Sequence, residues 1–363
     1  MTSTCEEVLP DRGRSPPHHR YPMRTISRKK AWKTALGALT MAKGDPNGEC
    51  RLTGWAMKQI IRRALAAGIS RLPPGLLTDK RFFELYQSRG IHILPTDFYS
   101  PVPDTREINV VDGERITALR GINTNIDAQR ALAMEPTFRA HRVECLAMIE
   151  RYSAEGRIPV SFGGMDAAML YHFVRKLQPR RIIEIGCGFS TMVISEALEA
   201  NAVAPGDCDF TSIDPYPRDF LLEGASRAKM RCDKLQAVPL GEFEALSVGD
   251  ILFIDSSHVV KAGSDVLYEI NEILPALAVG VHIHFHDIHF PFDYTRDWIM
   301  NRHTFWNEQY ALQAFLQFNA HFEILWSVAM MRAEHPELLA DLIPDFDQRK
   351  QQGGSFWMRR VVA

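Results

Sequence analysis

Acidic residues follow four short apolar segments in the second half of the sequence. Glu184 ends RIIE, Asp214 follows DFTSI, Asp255 follows ILFI, and Asp287 follows HIHFH. Carboxylates can hold ligand hydroxyls, bind a cation or accept a proton during a reaction. If the apolar segments are neighbouring parallel strands, their carboxyl ends lie at one edge of a sheet, where open α/β sheets bind ligands. The pattern therefore predicts one cleft that all four carboxylates face.

The stretch IGCGFST (185–191) leads from the first apolar segment into a helix. Gly186 and Gly188 permit a tight turn and let a ligand approach the backbone, and the N–H groups at a helix start suit a carboxylate or phosphate. Asp214 comes 28 residues after Gly186, where nucleotide-binding sheets place a carboxylate that accepts ribose hydroxyls. Each feature alone also fits an ordinary turn or a helix cap. Together with the other acidic strand ends, they favour a ligand that contains a ribose.

Three histidines lie near the same strand ends: His258 in IDSSH, and His286 and His289 in HDIH. Histidine titrates near neutral pH and can take a proton from a hydroxyl or amine. A structural histidine bonded to the backbone is the competing interpretation for each of them. We favour His258 as the base because it lies just past a strand end in a serine-flanked turn.

The segments that would position these residues alternate between strand and helix. The predicted strands are 182–185, 210–213, 237–240, 251–254, 281–285, 322–328 and 356–362, and the predicted helices between them are 190–200, 218–231, 262–277 and 305–318. Continuous apolar strands separated by helices indicate βαβ units. The expected fold is α/β: a Rossmann-like, seven-stranded, mostly parallel sheet with helices on both faces.

The N-terminal part differs in composition. Residues 1–45 are basic and poor in apolar residues, which predicts a disordered tail. Residues 46–160 are expected to form a mostly helical extension, and 161–363 the α/β domain. Within the extension, 51–69 is predicted to be an amphipathic helix that packs through one apolar face or, alternatively, lies on a membrane surface. That face comprises Leu52, Met57, Ile60, Ile61 and Leu65.

Composition narrows the function classes. The 363 residues carry a net charge of −2, which gives no reason to expect nucleic acid as a partner. The six cysteines are scattered without a CxxC pair, which favours a reducing cytoplasm over a disulfide framework or zinc cluster. No run of 18 apolar residues predicts a membrane span.

EIGCGFST (184–191), Asp214, FIDSSH and HxHDI together resemble class I S-adenosylmethionine-dependent methyltransferases, in particular a bacterial branch with FIDSSH on strand four and HD on strand five. The resemblance covers roughly residues 90–360, and Ser190 departs from the third glycine often found there. It implies S-adenosylmethionine as cofactor and a small-molecule acceptor with an oxygen or nitrogen nucleophile. The cofactor-binding residues it implies are Glu184, Gly186, Gly188, Ser190, Thr191, Asp214, Leu240 (beside the adenine, at the end of strand three) and Asp255.

For catalysis, the same resemblance together with the strand-end positions selects His258, His286, Asp287 and Asp255. Some relatives that methylate catechol-like hydroxyls coordinate magnesium with acidic residues where Asp255 and Asp287 lie. His286 stands where an oxygen ligand would be expected, and magnesium prefers oxygen. We therefore predict no metal ligand.

Three other functions compete with this one. A nicotinamide-dependent dehydrogenase would share the sheet, but Glu184 before the turn and the missing third glycine argue against it. HIHFHD (282–287) resembles the HxHxDH zinc-ligand run of metallo-β-lactamase-like hydrolases with its last two residues reversed. A non-enzymatic binding module is the third. The aromatic-rich segment 290–316 could line an acceptor pocket or form core, and the sequence does not decide.

Overall fold

The structure, a computed structural model, describes residues 54–77, 79–154, 162, 164–204, 206–224, 226–343, 346–350 and 353–362. Contacts divide the chain into two compact units, with the boundary between Pro95 and Thr96. The predicted basic tail and Leu52 lie outside the described residues. Among the described residues, no helix has the length and hydropathy needed to cross a bilayer.

The described residues of the first unit form three helices: α1 (Gly54–Ile69), α2 (Pro74–Leu77) and α3 (Lys80–Gln87). Asp79 caps α3, since its Oδ1 accepts the backbone N–H of Arg81 at 3.0 Å. The α1 side chains Ile60, Ile61 and Leu65 are exposed. The described helices α2 and α3 therefore leave this apolar face uncovered, and the surface against which it packs stays a prediction.

The second unit is built on a seven-stranded sheet. Its strands are β1 (Arg181–Ile185), β2 (Asp209–Ile213), β3 (Lys229–Arg231), β4 (Ile251–Ile254), β5 (His282–Phe285), β6 (Phe322–Ser327) and β7 (Phe356–Arg360). Their order is β3-β2-β1-β4-β5-β7-β6, and β7 runs in the direction opposite to the other six strands. This confirms the expected fold class. The chain reverses its direction of sheet growth between β1 and β4, the point at which open α/β sheets bind ligands.

Helices cover both faces of this sheet. They are α4 (Ile126–Met134), α5 (Pro136–Ala154), α6 (Gly164–Leu177), α7 (Phe189–Ala200), α8 (Asp219–Leu222), α9 (Leu240–Glu244), α10 (Asp265–Tyr268), α11 (Leu274–Ala276), α12 (Glu308–Leu316), α13 (Val328–Glu334) and α14 (Pro336–Leu342). A π-helical turn, Glu269–Ile273, joins α10 to α11.

Alternate strand residues enter two separate cores. Ile182 of β1 belongs to the cluster that includes residues of α5, α6 and α7, whereas Ile183 lies in the cluster that includes residues of α11 and α12. This explains the unbroken apolar strands, since both faces of β1 and β4 are buried. Helices α4 and α5 share the first core, so the compact unit begins at Thr96 rather than near the boundary of 160 expected from sequence.

The third strand was predicted in the wrong place. It is Lys229–Arg231, whereas residues 235–237 form a 3₁₀ turn and Leu240 begins α9. β3 pairs only with β2 and lies at the edge, so it needs no apolar run. The helix predicted over 218–231 is therefore much shorter in the structure, where α8 covers only Asp219–Leu222.

Candidate functional site

The glycine turn after β1 is fixed against the end of β4. Gly186 has φ +80°, and a Cβ at this position would lie 1.9 Å from the carbonyl oxygen of Asp255. Its N–H donates to the Ile213 carbonyl of β2 at 2.9 Å, and the Asp255 N–H donates to the Ile185 carbonyl at 2.9 Å. Residue 186 must therefore be glycine, because any side chain would separate the ends of three neighbouring strands.

Glu184 lies beneath this turn and has no exposed surface. Its two carboxyl oxygens accept hydrogen bonds from the Ser190 hydroxyl at 2.7 Å and the Thr191 hydroxyl at 2.8 Å. The Thr191 oxygen in turn accepts the Gly188 N–H at 3.0 Å. Burial raises the pKa of Glu184 to about 7. In this structure Glu184 fastens α7 to β1, and direct contact with a cofactor remains a prediction.

Asp214 holds two turns at the end of β2. Its Oδ2 accepts the Cys187 N–H at 3.0 Å, and its Oδ1 accepts the Tyr216 N–H at 2.7 Å. The Cys187 thiol also donates to Oδ2, at 3.3 Å. Each carboxylate oxygen has two lone pairs and a thiol is a weak donor that a hydroxyl can displace, so the half-buried side chain can still accept ribose hydroxyls. Asp214 is thus a turn residue, as its competing interpretation held, and its ligand role is not decided by these bonds.

Leu240 does not lie at the end of a strand. It is the first residue of α9, half-buried and packed against the core that contains Ile183. The placement of the adenine beside it rested on a third strand ending at residue 240, and that strand does not exist. The strand-end position predicted for Leu240 was therefore wrong, and its contact with the cofactor stays a prediction.

The four predicted catalytic residues lie together at the ends of β4 and β5. Nε2 of His258 is 3.2 Å from Oδ1 of Asp255 and 3.8 Å from Oδ2 of Asp287. Nδ1 of His286 is 3.5 Å from an oxygen of each carboxylate. His289 reaches the cluster through Asp287, at 3.7 Å. His258 and Asp287 both have left-handed backbone conformations, which turn the chain sharply where each strand has ended.

Two further carboxylates support this cluster and were missed from the sequence. Oε2 of the buried Glu308, at the start of α12, is 2.7 Å from Nδ1 of His258. Oδ2 of the buried Asp166, in the first turn of α6, is 3.4 Å from Nε2 of His286. Acidic residues are ordinary in a first helical turn, so no local signal distinguished these two.

The same Asp166 joins α6 to β7. Its Oδ1 accepts the Ser355 N–H at 2.9 Å, and its Oδ2 accepts the Gly354 N–H at 3.0 Å. His286 is therefore held from one side by a carboxylate that is itself fixed by two backbone donors.

The charges of the cluster change the role expected for His258. Burial opposes a charge on this imidazole, but its hydrogen bonds to Asp255 and Glu308 outweigh burial and raise the pKa of His258 to about 10. At neutral pH the ring therefore carries both protons and cannot accept another. In this state His258 donates a hydrogen bond to Asp255. The role of general base expected from the sequence does not fit a protonated His258.

The neighbouring groups follow the same logic. Burial disfavours charge on Asp255, but His286 and His258 lower its pKa below the usual range. Asp255 and Asp287 likewise outweigh burial at His286 and raise its pKa well above the ordinary value. At His289, burial prevails and lowers the pKa. The site thus pairs the ionised Asp255 and Asp287 with the protonated His258 and His286.

Asp255, His258 and Asp287 could also hold a metal ion. One ligand atom from each lies within 4.8 Å of the others. Two carboxylate oxygens and one imidazole nitrogen suit manganese or zinc better than magnesium, and binding would have to displace the proton on His258. The absence of a metal ligand remains a prediction.

The histidine run of β5 does not form the zinc site of the hydrolase hypothesis. The His284 ring stacks on Phe253 with ring centroids 4.2 Å apart, and its Nε2 is 3.1 Å from the Ser355 hydroxyl. Burial lowers the pKa of His282 to about 4. Within the described part of the chain, neither residue belongs to a group of three ligands that could surround a metal.

Comparison with known proteins gives three kinds of similarity. Residues 183–288 match the family described as a methyltransferase domain. A protein of Archaeoglobus fulgidus described as uncharacterized is 29% identical over 172 residues, covering 42% of this chain and 72% of its own. The O-methyltransferase TomG of Streptomyces achromogenes, solved with S-adenosylmethionine, is 14% identical with a TM-score of 0.35, covering 63% of this chain and 91% of its own.

A further solved structure is the S-adenosylhomocysteine-bound methyltransferase PaMTH1 of Podospora anserina, which is 15% identical with a TM-score of 0.34 and covers 65% of this chain and 95% of its own. Likeness to solved structures at this level says nothing about substrates. The family match includes Glu184, Gly186, Asp255 and Asp287. Over residues 183–288, the chain is therefore similar to methyltransferase domains.

Proposed function

We propose that this protein is an S-adenosylmethionine-dependent methyltransferase that methylates an oxygen or nitrogen nucleophile of a small molecule. The observation that carries the proposal is the glycine turn at Gly186, which lies against the end of β4 where the sheet order reverses. Such a switch point is where an open α/β sheet binds its ligand. The similarity of residues 183–288 to methyltransferase domains gives independent support.

The residues at this point fit the cofactor. A Cβ at Gly188 would meet no atom within 4 Å, so the turn borders open space. The N-terminus of the twelve-residue helix α7 offers backbone N–H groups for a carboxylate, and Asp214 retains lone pairs for ribose hydroxyls. The cofactor would then lie across the ends of β1 and β2, with its methyl group toward Asp255.

The cofactor supplies a methyl group that its sulfonium already activates. The chain must align the acceptor, exclude water and receive the proton of a hydroxyl or ammonium nucleophile. When bound, S-adenosylmethionine would supply the methyl group with its sulfur as leaving group, which would keep the electron pair of the sulfur–carbon bond. We assign the proton of a hydroxyl acceptor to the carboxylate of Asp255, whose side chain is 31% exposed, because His258 is already protonated. The lowered pKa of Asp255 makes it a weak base, but a hydroxyl oxygen that is gaining a methyl group becomes a far stronger acid than any carboxylic acid. His258 and His286 orient that carboxylate.

Calorimetric titration of the full chain with S-adenosylmethionine tests the proposal, with NAD⁺ as the matched control for a dehydrogenase. We expect saturable binding of S-adenosylmethionine, competition by S-adenosylhomocysteine, and no binding of NAD⁺. A folded protein that binds NAD⁺ and ignores millimolar S-adenosylmethionine would overturn the proposal.

A further inference from the structure

A cleft of ≈ 390 Å³ lies between residues 101–110 and 293–310, outside the segment that matches methyltransferase domains. Its apolar wall, which we call the aromatic cleft, is formed by Ile108, Val110, Ile299, Phe305, Trp306 and Tyr310. Its volume is in the range of small-molecule sites, which run from about 300 to 1,000 Å³.

Hydrogen bonds just outside the aromatic cleft join the two chain segments that form its walls. The Arg296 N–H donates to Oδ1 of Asp112 at 2.7 Å, and the Ile116 N–H donates to the Pro291 carbonyl at 2.8 Å. Val110 is buried in one small cluster with Tyr294 and Ile299. The cleft is therefore a built feature of this unit rather than a chance gap between loops.

One wall of the aromatic cleft also contacts the acidic site, the cluster of Asp255, His258, His286 and Asp287. The Trp306 ring lies 4.3 Å from the imidazole of His258, measured between ring centroids. The next residue, Asn307, lines the cleft and donates its backbone N–H to the His258 carbonyl at 3.1 Å. Glu308 then binds the His258 side chain. Cleft and acidic site are thus separated by one indole ring.

The chemistry of the lining selects a class of ligand. Among the described residues that line the cleft, none is Lys, Arg or His, and the one carboxylate, Asp293, accepts the Tyr310 hydroxyl. An anionic ligand would find no cation to pair with, and losing its hydration would cost several kcal/mol. Aromatic and aliphatic walls instead favour flat, apolar surfaces.

We propose that the aromatic cleft binds the methyl acceptor and that this acceptor is a flat, largely apolar small molecule without a negative charge, an inference that rests on the proposed function. The acceptor lies against Trp306 and extends its nucleophile past this ring toward Asp255. The segment 101–110, which precedes the sheet in sequence, then determines which molecules are methylated.

The test compares two probes that differ in charge, 2-naphthol and 2-naphthoate, by calorimetry at pH 7.5 on the full chain. Ile108→Trp fills the aromatic cleft, and Ala320→Trp places the same indole in a separate cavity of ≈ 360 Å³ lined by Ala320. S-adenosylmethionine affinity and thermal unfolding are measured on each variant. If Ile108→Trp fails to fold, Phe305→Ala, which removes an aromatic wall, takes its place.

We expect 2-naphthol to bind the unmodified protein at least tenfold more tightly than 2-naphthoate. Ile108→Trp should weaken 2-naphthol binding at least tenfold, whereas Ala320→Trp should not, with S-adenosylmethionine affinity within threefold in both. Equal binding of the two probes, or equal 2-naphthol binding by the Ile108→Trp and unmodified proteins, would overturn the inference. Binding of 2-naphthol without any binding of S-adenosylmethionine would sink the proposed function and leave the cleft as a binding site.

Discussion

Replacing Asp214 by alanine should separate the structural from the ligand role of this carboxylate. In the structure its oxygens accept the N–H groups of Cys187 and Tyr216, at 3.0 and 2.7 Å. The side chain is half-buried, so water can replace part of both bonds in the variant. We therefore expect the free energy of unfolding to fall by about 1–2 kcal/mol.

The loss of cofactor affinity should be larger. Two ribose hydroxyls would each donate to the carboxylate, and a hydrogen bond to a charged group contributes about 1.5–3 kcal/mol. Asp214→Ala should thus weaken S-adenosylmethionine binding by about 3–6 kcal/mol, roughly 10²- to 10⁴-fold. Such a loss exceeds what a loosened turn alone explains.

Calorimetry gives the affinity, and urea unfolding gives the stability, on the same preparations. Asp233→Ala is the matched control, because this carboxylate is exposed and pairs with Arg231 near the end of β3. Both quantities should change by less than about 0.5 kcal/mol in the control. An Asp214→Ala protein that loses stability but binds S-adenosylmethionine normally would refute the reasoning and leave Asp214 as a turn residue alone.

Three further predictions concern stability, pH and metal. Asp166→Asn places an amide NH₂ against a backbone N–H, so the free energy of unfolding measured in urea should fall by about 1–3 kcal/mol. Unchanged stability would show that the hydrogen bonds from Gly354 and Ser355 to Asp166 do not stabilise the fold. Burial lowers the pKa of His172 and His282 to about 4. Below about pH 6.5 the unfolded chain therefore binds protons at these two histidines that the folded chain does not. Each histidine should lower the free energy of unfolding by roughly 2 kcal/mol at pH 5. Urea midpoints at pH 7 and pH 5 check this, and His172→Gln should shrink the difference. EDTA should change S-adenosylmethionine affinity less than threefold; a larger loss, restored by manganese, would make Asp255 and Asp287 metal ligands.

The strands that could be located from sequence are runs of mostly apolar side chains, and they include the edge strand β6, predicted over 322–328. β1, β2, β4 and β5 differ from their predicted bounds by one residue at most, because each needs a short run of apolar side chains to meet two cores. β3 has one neighbour and mostly polar side chains, so its position depends on pairing with β2, which no periodicity records.

The candidate site likewise contains residues that could be predicted from the sequence and residues that could not. Four site residues could be predicted from the sequence because they lie just after strands, and parallel strands bring their ends together. They are Asp255, His258, His286 and Asp287. Glu308 and Asp166 come from helices, and their contacts to His258 and His286 span 50 and 120 positions. His258 is kept protonated in part by Glu308. Because this contact could not be predicted from the sequence, His258 was expected to act as a base, a role that a protonated imidazole cannot fill.

The position of β7 has a consequence for how the protein is made. This strand pairs with β5 on one side and β6 on the other, yet it follows both in the chain. Until residues 356–360 leave the ribosome, two strands present open backbone edges, and Asp166 lacks its donors from Gly354 and Ser355. Open edges recruit strands from other chains. The newly synthesised chain is therefore most prone to aggregate during the interval between β6 and β7, and slow translation of that stretch should lower the yield of folded protein.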